Sequence, residues 1–123
     1  MTTIEILRDI KTKLTGINGI NTVQIGLEKA THPQDYPIIR IVPSKTGQND
    51  YMDFGIYFGD NLNANGGMEA IYEAHSAWEQ AIKEALHFQE VEPSLVIEFV
   101  DTILDEDRFE NFKISCSRYK VSR

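Results

Sequence analysis

Tyr51-Met52-Asp53-Phe54-Gly55-Ile56-Tyr57-Phe58, residues 51–58, is the stretch on which the reading of this chain turns. Met52, Phe54, Ile56 and Phe58 alternate with Tyr51, Asp53, Gly55 and Tyr57, the period-two pattern of a strand with one buried and one open face. Upstream, Pro37 opens another strand through Ile38, Ile39, Arg40, Ile41 and Val42. Pro43 is expected to close that strand, because proline cannot donate to a ladder. Residues 44–50 are polar and contain Gly47, so they read as a turn or flexible loop, and the two strands as an antiparallel hairpin. Downstream, the Gly- and Asn-rich residues 59–67 read as a loop leading into a long helix, Met68 to about His87. There Ile71, His75, Trp78, Ile82 and Ala85 recur at three- and four-residue steps and form one apolar face.

The flanks complete the pattern. Thr2-Thr3-Ile4-Glu5 has the spacing of a capping box, and Ile4, Leu7, Ile10 and Leu14 place an apolar stripe on the helix behind it. Val23, Ile25 and Leu27 alternate with polar residues in a first strand. Pro93 precedes a strand in which Leu95, Ile97 and Phe99 alternate with Val96, Glu98 and Val100. Asp105-Glu106-Asp107 reads as an acidic turn. In the last strand Phe112, Ile114 and Cys116 share a side, whereas Tyr119 and Val121 fall out of phase, so a bulge or the use of both faces is expected. The order α-β-β-β-α-β-β over residues 1–123 gives one α+β domain. Its sheet is expected to be mainly antiparallel or mixed, with four to five strands and two helices packed on it.

A chain of 123 residues supports one domain burying roughly two-thirds of its unfolded surface. A single cysteine rules out a disulfide scaffold. No apolar run reaches the ~20 residues that cross a bilayer. The N-terminus lacks the basic-then-apolar order of a signal peptide, so synthesis is expected inside the cell. The net charge of −7 argues against sequence-independent DNA binding, which needs a basic face. That charge is unevenly spread. Residues 1–45 carry +2, residues 46–107 carry −13 with Lys83 the lone base, and residues 108–123 carry +4. Opposite blocks on one chain suit contacts between copies, where complementarity steers encounter and fixes register.

Catalysis needs a nucleophile, a base and a group that orients the base. His32, His75 and His87 have no cysteine or second histidine at metal-ligand spacing. His75 and Trp78 read as core on the long helix, and Cys116 as a small buried hydrophobe. The glycines of residues 59–67 lack Gly-Lys-Ser/Thr, and the loop is acidic where a phosphate needs donors. Asp105, Glu106 and Asp107 lack the alternating oxygens of a calcium loop. No catalytic, cofactor or metal site is therefore expected. Tyr51 and Tyr57, opposite Phe54, mark a candidate interface, since tyrosine is enriched at contacts.

The chain resembles the tail terminator, or tail completion, proteins of long-tailed bacteriophages. The resemblance rests on Gln34-Asp35-Tyr36-Pro37-Ile38-Ile39-Arg40-Ile41, on Asp53-Phe54-Gly55-Ile56-Tyr57-Phe58, on the central Trp78 of the long helix, and on the acidic turn followed by a strand from Asn111 to Val121. It implies an α+β subunit without catalytic residues, located in the virion at the head–tail junction and made in the bacterial cytoplasm. Such a subunit forms a homo-oligomer, a hexameric ring that caps the tail tube, stops its polymerisation and offers a docking surface to the head-completion or connector protein. DNA passes through the ring without specific binding. The family's contacts lie in loops and strand edges, which correspond here to residues 44–50, 59–67 and 101–110. Arg118 and Lys120 of the last strand are expected to meet an acidic stretch of the adjacent subunit, with Asp105, Glu106 and Asp107 among the candidate acids. Two other readings are a different phage neck or head-completion subunit, and a cellular dimeric α+β module with a concave apolar ligand pocket.

Overall fold

The computed structural model describes residues 1–26, 33–61, 67–104 and 112–123. Among these, helix α1 spans Thr3–Leu14 and α2 spans Gly67–Leu86; the strands are β1 Thr22–Ile25, β2 Ile38–Thr46, β3 Met52–Asn61, β4 Glu90–Glu92, β5 Leu95–Ile103 and β6 Phe112–Ser122. The fold is α+β. One mixed six-stranded sheet runs in the order β1-β2-β3-β6-β5-β4. The β1–β2 pair is parallel and the other pairs are antiparallel.

Local chemistry starts α1 where the sequence places it. Thr2 caps α1: its hydroxyl accepts the Glu5 N–H at 3.3 Å and donates to the Glu5 carboxylate at 3.0 Å, which relieves one of the orphan amides of the first turn. Ile6, Leu7, Ile10 and Leu14 are buried along α1, and Ile71, His75, Trp78, Ile82 and Leu86 along α2. Both stripes pack on the same face of the sheet, against Ile39 and Ile41 of β2, Met52, Phe54, Ile56 and Phe58 of β3, and Tyr119 and Val121 of β6. The sheet curls around α1, which touches both terminal strands, β1 and β4.

Four expectations are corrected. The sheet has six strands where four to five were expected, because β4 pairs with β5 through Glu90–Val96 and Glu92–Leu95. Pro93-Ser94 forms the turn between them, with Ser94 at φ 70°, and β5 follows at Leu95 as Pro93 led one to expect. Pro43 does not end β2: the strand continues to Thr46 with a register shift between Pro43 and Lys45. Strand β1 covers β2 only as far as Ile41, so from Val42 onward β2 is an edge, and a bulged edge accommodates proline. The turn itself is confined to Gln48-Asn49-Asp50, closed by the Gly47 N–H on the Tyr51 carbonyl at 2.9 Å. Finally, β3 runs through Gly59 to Asn61, which pair with Ile114 to Phe112, so the expected loop begins three residues late.

The phase change in the last strand has a plain origin. The ten-pair ladder from Met52–Val121 to Asn61–Phe112 contains no shift, so β6 is regular against β3 and uses both faces. Tyr119 and Val121 face the helices, whereas Ile114 joins Ile38, Tyr36 and Tyr57 in a small apolar cluster on the opposite face. The bulge lies on the neighbouring strand, between Phe99 and Asp101 of β5.

Candidate functional site

Strand alternation dictates what the face away from the helices carries. Residues directly opposite in an antiparallel ladder share a face. Asp53 pairs with Lys120, Gly55 with Arg118, Tyr57 with Cys116 and Gly59 with Ile114. On the flanks Arg40 and Val42 lie beside Tyr57 and Gly55, while Glu98, Asp101 and Ile103 lie beside Lys120, Arg118 and Cys116. The helix-free face therefore gathers Tyr57, Arg118 and Lys120, and Tyr51 joins them by reaching Asp53. Asp105, Glu106 and Asp107 lie outside the described residues, as does His32.

The charges on this face are matched within the chain. Arg118 holds Asp101 in a two-pronged ion pair, with Nε 2.6 Å from Oδ1 and Nη2 on the other carboxylate oxygen. That hydrogen bonding holds the Asp101 carboxyl below its ordinary range. Lys120 lies 4.0 Å from Glu98. Both bases thus take their acids from β5 of the same chain. The Tyr51 hydroxyl donates to Asp53 at 2.7 Å, a bond that raises the phenol's pKa. At the end of the sheet Arg123 bridges Asp50, at 2.8 Å, and Glu92, with the chain's amino terminus 3.6 Å from Asp50. The Arg123 hydrogen bond lowers the Asp50 pKa.

At the centre of the face is a shallow groove of about 270 Å³. Gly55 leaves room for it between Val42, Tyr57, Cys116 and Arg118, and Val100 closes one side. The bulge explains Val100. An inserted residue on β5 turns an additional side chain to the surface, and Val100 is 51% exposed. The mixture is an apolar floor with Asp53 and Arg118 at its rim, open along the sheet.

The remaining candidates are structural in their contacts. His75 is buried between Phe58 and Trp78, with ring centroids 5.6 and 5.5 Å away. The Ser115 hydroxyl gives its one proton to the Leu104 carbonyl at 2.8 Å, so the His75 Nδ1–H, 2.7 Å away, must be the donor to Ser115. His75 thereby ties α2 to the start of β6 and the end of β5. His87 does the converse: its Nδ1 accepts the Phe99 N–H at 3.0 Å and occupies the ladder position a neighbouring strand would fill. Cys116 is buried. Among the described residues no group of three His, Cys, Asp or Glu side chains is arranged to hold a metal, and no helix is long and apolar enough to cross a membrane.

The sequence reading missed the edge of β5. Strand β4 covers only its start, and among the described residues positions 101–103 pair with β6 alone, with Val100 set out at the bulge. Val100, Ile103 and Leu104 are exposed along this stretch. The available signal was Pro93-Ser94, a turn flanked by Val91 and Leu95, which shortens β4 to three residues and leaves the rest of β5 uncovered.

No protein-family model matches the chain, and no curated protein matches it.

Proposed function

We propose that this chain is a structural assembly subunit of the tail-terminator kind: a ring on the end of a phage tail tube that stops polymerisation and receives the head. The observation that carries the reading is the helix-free face of the sheet. Its tyrosines, its paired charges and its shallow groove make a broad, mixed surface of the sort that contacts other proteins. The surrounding chain agrees with this. Exposed glutamates of α2 and β4 give the subunit an acidic surface, past which DNA slides because phosphate affinity comes from neutralising cations.

Solution mass and particle shape, with and without purified tail tubes, test the proposal. Closed rings that bind tube ends are the expected result. Long polymers would favour a tube-like neck subunit instead, and a monomer that ignores tube ends would overturn the assignment. The groove keeps one second reading, a ligand-binding module. Its volume is slightly below the ~300–1,000 Å³ of typical small-molecule sites and it lies on an open face, so a surface role is favoured. A small molecule that raises the melting temperature dose-dependently would reverse that preference.

A further inference from the structure

We infer that copies of this chain join edge to edge through the sheet, with β1 of one copy adding as an antiparallel neighbour to residues 100–103 of β5 in the next. The inference rests on the ring reading and names its contact.

The two edges differ from the protected kind. Natural sheets blunt an exposed edge with proline, lysine, bulges or a covering segment. The open end of β2 has three of these: Pro43, the register shift that follows it, and Lys45. The open end of β5 has only the bulge at its start, between Phe99 and Asp101; among the described residues no proline, lysine or covering segment follows it along positions 101–103. Val100 is 51% and Ile103 42% exposed, and the β5 acids that could repel an incoming strand are already occupied, Glu98 by Lys120 and Asp101 by Arg118. The His87 imidazole seals the edge as far as Phe99 and no further. At the other side of the sheet, β1 is four residues long and, among the described residues, pairs only with β2.

Register makes these edges two halves of one contact. Following the ladders across the sheet, Gln24 lies beside Arg40, then Tyr57, Cys116 and Ile103; Ile25 lies beside Ile41, Ile56, Ser117 and Thr102. The two open edges therefore overlap in height, Gln24 and Ile25 lying level with Ile103 and Thr102. Strand directions also match: β1 runs with β2 and β6, opposite to β5, so a neighbour added without inversion presents β1 antiparallel to β5. Equal height means that repeated addition advances around an axis without climbing along it, the condition for closure into a ring and not a filament. The flanking helices carry complementary charge: α1, against β1, exposes Arg8 and Lys11, and α2, against β5, exposes Glu73 and Glu84.

The test is the Val100→Lys/Ile103→Lys double variant, followed by sedimentation over a concentration series. Both side chains are exposed, so the fold should survive, as an unchanged circular dichroism spectrum and melting curve would verify. Wild-type protein is expected to assemble, and the variant to remain monomeric at concentrations at least about tenfold higher. In a second arm, Gln24→Cys and Ile103→Cys are combined in one chain that also carries Cys116→Ser, because Cys116 lies directly opposite Ile103 on β6, and oxidised. A ladder of covalent multimers is expected, with nothing above a dimer from either single substitution. A double-lysine variant that assembles like wild type overturns the edge contact and leaves the ring reading standing. Wild-type protein that stays monomeric overturns both. Loss of assembly in the lysine variant without a cysteine ladder overturns β1 as the counterpart of β5.

Discussion

Gly59→Ala should be among the most damaging single-methyl changes available in this chain. Gly59 lies in the middle of the sheet, facing Ile114 on β6 and Ile38 on β2. A Cβ built there would stand 2.0 Å from the Lys113 carbonyl oxygen, 2.8 Å from the Ile114 Cδ1 and 3.0 Å from the Ile114 Cα. The nearest atom is backbone, so no rotamer change relieves the clash. Strands β3 and β6 must separate locally by more than about 1 Å, which weakens the ladder on either side and opens the Ile38–Ile114–Tyr36 cluster. Overpacking a well-filled site costs about 1–3 kcal/mol, and a backbone collision belongs at the upper end. The reduced entropy of the unfolded alanine chain offsets about 0.5–1 kcal/mol of this.

A net loss of about 2 kcal/mol follows, which for a domain of this size lowers Tm by roughly 6–10 °C. Gly55→Ala is the control. There the nearest neighbour is the Cys116 Sγ at 3.0 Å, the movable end of a side chain, so the cost should stay within about 1 kcal/mol. Urea and thermal melts of the two variants, run together, separate the cases. If Gly59→Ala melts within about 2 °C of wild type, or above Gly55→Ala, β3 and β6 do not approach closely enough at Gly59 to exclude a methyl group.

Two further outcomes are expected. Tyr119 is buried, stacked on Phe54 at 5.7 Å, and among the described residues its hydroxyl has no hydrogen-bond partner; burial accordingly raises its pKa. Tyr119→Phe should therefore stabilise the protein by about 1 kcal/mol in urea melts, and a loss of that size would show that the hydroxyl is bonded. Asp101 has its pKa lowered by Arg118 below the ordinary 3.8, so the pair favours the folded state above that value, and the contribution disappears as pH falls through the lowered pKa. Asp101→Asn should flatten the acid limb of a Tm–pH curve below about pH 4 relative to wild type; an identical limb would mean that the pair contributes nothing to acid stability.

Much of the fold was legible because it depends on local pattern. The period of two in residues 51–58, the three- and four-residue steps of Leu7, Ile10 and Leu14, and the cap at Thr2 are statements about neighbours in sequence. Each reappears as an element with a buried face, although Ile4, expected on the α1 stripe, is 43% exposed and Ile6 is buried in its place. What failed depended on pairing. Pro43 and Gly59 are breakers by propensity, yet one lies on an uncovered edge and the other where two strands approach closely, and only the partner strand distinguishes those situations from a loop. The out-of-phase end of β6 posed a choice between a bulge and two-faced use. The choice depended on β3, whose ladder is unbroken, while the bulge went to β5.

The candidate site shows the same division more sharply. Tyr57, Arg118 and Lys120 were identifiable one by one as polar or aromatic residues facing away from a buried pattern, and they do share a face. Their partners were not identifiable. Arg118 lies seventeen residues from Asp101, and nothing in the spacing says that a strand bulge would bring the carboxylate beneath the guanidinium. That intrachain pairing alters the physical role of the two bases. A cation already held by its own acid is a poor attractor for a neighbour's, because the incoming acid must displace a two-pronged partner. It does, however, neutralise an edge that would otherwise repel. Reversing Arg118 and Lys120 would then expose Glu98 and Asp101 beside the open stretch of β5, so assembly would be lost through repulsion at the edge even if neither base touches the adjacent subunit. Replacing all four side chains by neutral isosteres separates the two roles. Assembly that survives the neutral set but not the reversal places the contact at the strand edge and not at the basic side chains.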